Sequence, residues 1–217
     1  MREYRGHLEL AERLRSPGRR ALVLMHGLPG SGKTAVAQRL LESFGAIRLR
    51  SDVERKRLHG VEAQARTDSG LDSGIYAPPA TRRTYARLAD LARELLAART
   101  TVIVDAAFLR REQRDAFHAL ARGCAAPLAV VWCRAPEAVM RERLARREGE
   151  GKDASEAGVA VLERQLQTQE ALDKDELAHT VSIASEQDAE RTCREAAAAL
   201  SRLLGLGARR PGPGPSG

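Results

Sequence analysis

At 217 residues the chain suits one α/β domain with a core large enough to fold alone, and a 43% hydrophobic fraction is globular rather than disordered. Aromatic residues make up 3%, which argues against stacking platforms for single-stranded nucleic acid. The net charge of +7 comes mostly from arginines interleaved with Asp and Glu along the whole chain, the pattern of solvated helix faces more than of a nucleic-acid surface.

Residues 3–15 are expected to form a short amphipathic helix with Leu8, Leu10 and Leu14 inward, broken at Ser16-Pro17-Gly18. Ala21 to Met25 is a continuous apolar run, as a buried parallel strand reads, and ends at Gly27. A helix over Lys33 to Ser43 and a short strand over Ala46 to Leu49 follow. The stretch 59–78 is rich in Gly, Ser and Asp and is expected to be a long functional or mobile loop. Pro78-Pro79 opens a helix to about Ala98; a third strand, Thr101 to Asp105, and a helix over Arg111 to Arg122 come next. Leu128 to Cys133 is the fourth strand. Pro136 suits the first turn of a helix running to about Arg147, before a charged, glycine-punctuated surface loop over 146–152. A helix over Glu156 to Leu172, a weak strand at His179 to Ala184 and a helix to Leu204 complete the pattern, and alternating Pro and Gly from Gly205 read as a disordered tail. The expected division is 1–20 as N-terminal helix and linker, 21–204 as one domain and 205–217 as tail. Strands alternating with helices imply a parallel sheet with right-handed crossovers.

Cys124, Cys133 and Cys193 have neither paired nor metal-ligand spacing, which points to a reducing compartment. No apolar leader and no run near ~18 apolar residues is present. The expectation is a soluble, cytoplasmic protein.

Gly27-Leu28-Pro29-Gly30-Ser31-Gly32-Lys33-Thr34 fits G-x-x-x-x-G-K-[ST], between an apolar strand and a helical pattern. Glycines let the backbone curl so that successive N–H groups face phosphate oxygens, and the following helix adds its positive end. Lys33 is then placed to reach β- and γ-phosphates and Thr34 to ligate Mg²⁺, so the cofactors expected are ATP and Mg²⁺.

Arg50-Ser51-Asp52-Val53-Glu54-Arg55 directly follows the second strand. The carboxyl ends of parallel strands face the ligand crevice, so Asp52 either accepts a proton from an acceptor hydroxyl or caps the next helix. Arg55, about one turn on, is a candidate to neutralise phosphate or hold an anionic acceptor. Asp105 ends an apolar strand, as a Walker B carboxylate or a turn residue would. Arg110 and Arg114 lie four apart, so they are expected on one face that either binds an anionic acceptor or is solvated. Tyr76, near Thr81 and Tyr85, is a candidate acceptor contact. The five histidines have no metal spacing and are assigned no chemistry.

The loop Gly27–Thr34, Ser51-Asp52-x-x-Arg55, the strand Val102-Ile103-Val104-Asp105 and the later arginine-rich loop together resemble the P-loop kinase superfamily of gluconate kinases, zeta toxins, chloramphenicol phosphotransferase and polynucleotide kinases. Residues 50–60, 102–110 and 155–165 look most like uncharacterised bacterial kinase-like ATPase domains often fused behind an aminoglycoside-phosphotransferase-like domain, of which no upstream counterpart is expected here. The resemblance spans roughly residues 20–175. It implies a P-loop NTPase three-layer α/β sandwich: a five-stranded parallel sheet of order 2-3-1-4-5 with helices on both faces and a lid. It also implies Asp52 as general base, Arg143 and Arg147 as lid arginines clamping the transferring phosphate (Arg146 lies beside them), and Gln165, Gln169 and Glu170 on a helix lining the acceptor pocket. Relatives often carry Thr where this chain has Ala106. The function implied is transfer of the γ-phosphate of ATP-Mg to a hydroxyl of a small molecule. A polynucleotide 5′-hydroxyl kinase and an ATP-binding regulatory module with weak ATPase activity are the alternatives.

Overall fold

The computed structural model describes residues 20–62, 65, 73–150, 157–184 and 189–205. The expected helix over 3–15, the Pro/Gly tail beyond Gly205, the middle of the 59–78 loop and the loop beyond Glu150 lie outside them.

Five strands, β1 (Leu22–His26), β2 (Ile47–Arg50), β3 (Val102–Asp105), β4 (Leu128–Arg134) and β5 (Thr180–Ala184), form one sheet of order β2-β3-β1-β4-β5. Every pairing is parallel, and the order is the one the resemblance implied. Eight helices accompany the sheet among the described residues: α1 (Lys33–Phe44), α2 (Ser51–Leu58), α3 (Pro78–Ala97), α4 (Arg111–Gly123), α5 (Glu137–Glu150), α6 (Val159–Thr168), α7 (Lys174–Leu177) and α8 (Ala189–Leu204).

The central strands β1, β3 and β4 are buried on both faces because they are apolar at successive positions, while the edge strands β2 and β5 are only partly buried. Val23 and Met25 of β1 pack with Ile103 and Val131 under Val36 and Leu40 of α1 and Leu200 of α8. Leu22 and Leu24 point the other way and pack with Val102, Val104 and Val130 under Leu88, Ala92 and Leu96 of α3 and Phe117 of α4. Each such Leu or Ile, fully withdrawn from water, contributes roughly 1.5–3 kcal/mol. A third, smaller cluster joins Leu28 and Leu109 to Met140 and Leu144 of α5 and Leu162 of α6, so both helices rest on the loops at the carboxyl edge of the sheet.

Three local features depart from the sequence pattern. Helix α2 starts directly at the end of β2; its sequence SDVERKRL has no apolar stripe, and its buried residues are Glu54, Arg55 and Lys56. Helix α5 continues past Arg147 to Glu150. Helix α6 stops at Thr168 rather than at Leu172, because Gln169 is extended (φ −67°, ψ 145°) and Glu170 turns away to bond the backbone of Leu109 at 2.8 Å. Among the described residues no helix is long and apolar enough to cross a membrane.

Candidate functional site

The loop between β1 and α1 is built on three glycines with positive φ: Gly27 (143°), Gly30 (78°) and Gly32 (90°). Two of them are also sterically obligatory. A Cβ on Gly27 would lie 2.4 Å from the carbonyl oxygen of Cys133, and one on Gly30 would lie 2.7 Å from that of Met140. The loop therefore nests against β4 and α5, with Gly32 as the N-cap of α1. Leu28 buries its side chain under α5 and α6, and its carbonyl accepts the Lys33 ammonium at 2.8 Å. Ser31 is buried, and its hydroxyl has no hydrogen-bond partner among the described residues.

The open side of this loop faces a cleft of about 840 Å³. Pro29, Gly30, Gly32, Lys33 and Thr34 form one wall; Asp52 and Arg55 from α2, and Asp105 from the end of β3, form the next. Arg50 and Asp105 are register partners at the ends of β2 and β3, and Asp52 follows two residues after Arg50, so both acidic residues lie at the carboxyl edge of the sheet. Arg50 is the N-cap of α2, which leaves Asp52 in the first turn and not in the capping position. Its carboxylate lies at the positive end of that helix.

The charges in the cleft hold one another in check. Burial pushes the Lys33 ammonium below the ordinary lysine range, while Asp105, and after it Cys133 and Asp52, pull it back up. Burial likewise pushes Asp105 up, opposed by Lys33 and Arg50. Asp105 Oδ2 is buried and accepts no hydrogen bond among the described residues, with Arg50 Nε 3.9 Å away. An orphaned carboxylate oxygen in a cleft that the exposed Thr34 also lines fits a hard divalent cation that keeps several of its own waters.

The rest of the lining comes from α5, α6 and the β3–α4 loop. Arg143, Arg146 and Arg147 of α5 line the cleft, as do Arg164, Gln165 and Thr168 of α6. Arg143 Nη1 donates to the carbonyl of Gly30 at 3.1 Å, and Arg147 donates to that of Ala157. Gln165 Oε1 is buried without a hydrogen-bond partner among the described residues. Ala106, Ala107, Leu109 and Arg110 supply the β3–α4 part. Arg55, 7% exposed, donates to the Ile75 carbonyl at 2.9 Å and the Thr81 hydroxyl at 3.1 Å, with its guanidinium 5.0 Å from the Tyr76 ring centre. Tyr76 and Arg55 thus form one corner of the cleft.

Arg114 does not share the cleft face with Arg110. It is fully buried and paired with Glu176, whereas Arg110 is exposed, lines the cleft and pairs with Glu170 at 3.1 Å. The physical reason is the position of Arg114 three residues before Phe117 and seven before Ala121, on the inner face of α4. Glu170 and Gln169 have left the helix expected to carry them. The Glu170 carboxylate accepts the Arg111 N–H at 2.5 Å, at the start of α4.

Two further residues shape the site. Phe108 has φ +50°, a strained backbone for a bulky side chain, and donates its N–H to the Tyr85 oxygen at 3.2 Å. Burial raises the Tyr85 phenol to about 12, so it remains protonated. His26, at the end of β1, shares a hydrogen with the Phe108 carbonyl at 3.1 Å, and burial lowers its pKa to about 4. Its ring is therefore neutral near pH 7, and Nδ1 is the donor. Phe108 carries no sequence signal for its conformation. His26 had one, its place at the end of an apolar run just before the glycine loop.

A family model described as an AAA domain matches residues 22–172. The uncharacterized protein Rv2004c of Mycobacterium tuberculosis is 30% identical over 145 residues, a match taking in 66% of this chain and 29% of that protein, so the chain spans well under half the length of the curated relatives it matches. Among solved structures, a gluconokinase from Sinorhizobium meliloti is 26% identical with a TM-score of 0.61, covering 87% of this chain and 95% of that one. An APS kinase of M. tuberculosis, solved with AMPPNP and APS, shares the fold at 20% identity and a TM-score of 0.58, covering 87% and 99%.

Proposed function

The chain belongs to the AAA-domain family and to the P-loop kinase superfamily, and from that premise we propose that it transfers the γ-phosphate of ATP to a hydroxyl of a small molecule, with Asp52 as the general base. A nucleotide-dependent kinase in general is what the family and the fold support. The finer reading is carried by one observation: Lys33, Asp52 and the α5 arginines line a single cleft.

The loop N–H groups and Lys33 bind and orient the β- and γ-phosphates, after Lys33 exchanges the Leu28 carbonyl for phosphate oxygen. Thr34 and Asp105 would hold Mg²⁺, which when bound neutralises charge on the β- and γ-oxygens. An acceptor hydroxyl beside Asp52 gives its proton to the carboxylate as its oxygen bonds to the γ-phosphorus. The bond from that phosphorus to the bridging oxygen breaks, and ADP leaves with the electron pair. Arg143 and Arg147, which line the same cleft, stabilise the charge on the moving phosphoryl group. Tyr76, Arg110 and Gln165 line the same cleft, and in this reading they contact the acceptor.

The test is transfer from γ-labelled ATP-Mg to a panel of sugars, sugar acids, nucleosides, aminoglycosides and 5′-hydroxyl oligonucleotides. A labelled small molecule supports the reading. Label confined to oligonucleotides replaces it with a polynucleotide kinase, and ATP binding without any labelled acceptor replaces it with a regulatory module.

A further inference from the structure

The most elaborate polar arrangement in the interior lies outside the cleft. Arg114 uses its whole guanidinium. Nε and Nη2 donate to the two carboxylate oxygens of Glu176 at 2.5 and 3.1 Å, Nη1 to the carbonyls of Phe108 (3.0 Å) and Glu170 (3.3 Å), and Nη2 to that of Ala171 (3.1 Å). These bonds match the five donors a guanidinium has. Glu176 is itself fixed, since Oε2 also accepts the Asp173 N–H at 2.9 Å.

A buried ion pair is poor evidence for stability, because an apolar pair of similar volume often folds as well. An apolar pair cannot hold carbonyls, however. Phe108 lies in the β3–α4 loop, whose Ala106, Ala107, Leu109 and Arg110 line the cleft. Glu170 and Ala171 follow α6, which carries Gln165 and Thr168. The same Phe108 carbonyl accepts from His26, and Gly27 donates its N–H to the Ala107 carbonyl at 3.2 Å. One guanidinium thereby ties the start of the phosphate loop, through a strained residue, to the segment that follows α6.

We propose that Arg114 and Glu176 are positioning residues that set the distance between the phosphate loop and the α6 wall. The catalytic consequence rests on the kinase reading above; the clamp itself does not. When it is loosened, the α6 wall and the β3–α4 loop shift while the phosphate loop stays in place. The acceptor hydroxyl is then misaligned, and water reaches the γ-phosphate in its stead.

The test compares Arg114→Lys and Glu176→Gln with the wild-type chain by amide hydrogen exchange, ATP affinity and the ratio of acceptor labelling to ATP hydrolysis. Lys keeps the charge but not the fork, and Gln keeps the shape but not the charge, so either variant that folds carries the test. The expected result is ATP affinity within about twofold, exchange at 107–111 and 169–172 about tenfold faster with α1 unchanged, and a labelling-to-hydrolysis ratio about tenfold lower. Unchanged local exchange, or labelling and hydrolysis falling by the same factor, overturns the proposal, since a pair serving only the fold moves both rates together. A wild-type chain that labels no acceptor overturns the kinase reading instead, and local exchange in the variants still decides the clamp.

Discussion

Arg143 of α5 donates to the carbonyl of Gly30, 3.1 Å away, so the helix that carries the cleft arginines is fastened directly to the phosphate loop. The same contact places a cation beside the loop at the point where α5 comes closest, because Gly30 has no room for a Cβ beneath Met140.

Replacing Arg143 with Ala is therefore expected to slow phosphate transfer by about 10²-fold, the usual consequence of removing one preorganised donor. The side chain is half-buried, and the Leu144 packing next to it is untouched, so the melting temperature should stay within a few degrees. Single-turnover transfer and a thermal melt check both parts together.

Gly30→Ala should be worse for the fold than its size suggests. The new Cβ would meet backbone at 2.7 Å and would force a φ of 78° on an L-residue. A loss of about 1–3 kcal/mol is expected, with a parallel loss of ATP binding because the loop must move. Denaturant unfolding and nucleotide titration of the same variant measure the two losses.

His26 makes stability fall in mild acid. Its pKa is lowered from 6.5 to about 4, chiefly by burial and against the pull of the Phe108 carbonyl. The unfolded chain takes up a proton near pH 6.5 and the folded chain only near pH 4, so unfolding binds a proton between those values. This contribution is full above about pH 6.5 and declines as pH drops through the window, and by about pH 4 the loss amounts to about 3 kcal/mol. His26→Asn, whose amide can donate to Phe108, is expected to flatten the decline between pH 6.5 and 4 when unfolding is followed across pH.

Much of this arrangement was legible in the sequence because it rests on local chemistry. The apolar runs at 21–25, 101–105 and 128–133 read as buried strands, and the glycine spacing of 27–34 read as a phosphate loop. Asp52 and Asp105 were readable as cleft residues because each closely follows or ends a strand. Residues whose placement depends on distant partners were not legible. Arg114 looked like a second surface arginine, although its spacing to Phe117 and Ala121 marks the inner face, and its partner lies 62 residues on. Glu170 ends up at the start of α4 because Leu109 draws its backbone away from α6, a contact with no local signature. A helix after β2 was anticipated, but its start at Ser51 and its burial were obscured because its buried side chains, Glu54, Arg55 and Lys56, are charged.

The role of Asp52 is the central claim, and single-turnover transfer from γ-labelled ATP to the labelled acceptor in Asp52→Ala tests it most directly. The prediction is a folded variant with unchanged ATP affinity whose transfer is slowed by about 10²–10⁴-fold, the range of a lost general base. A folded Asp52→Ala chain that phosphorylates the acceptor at the wild-type rate would contradict it.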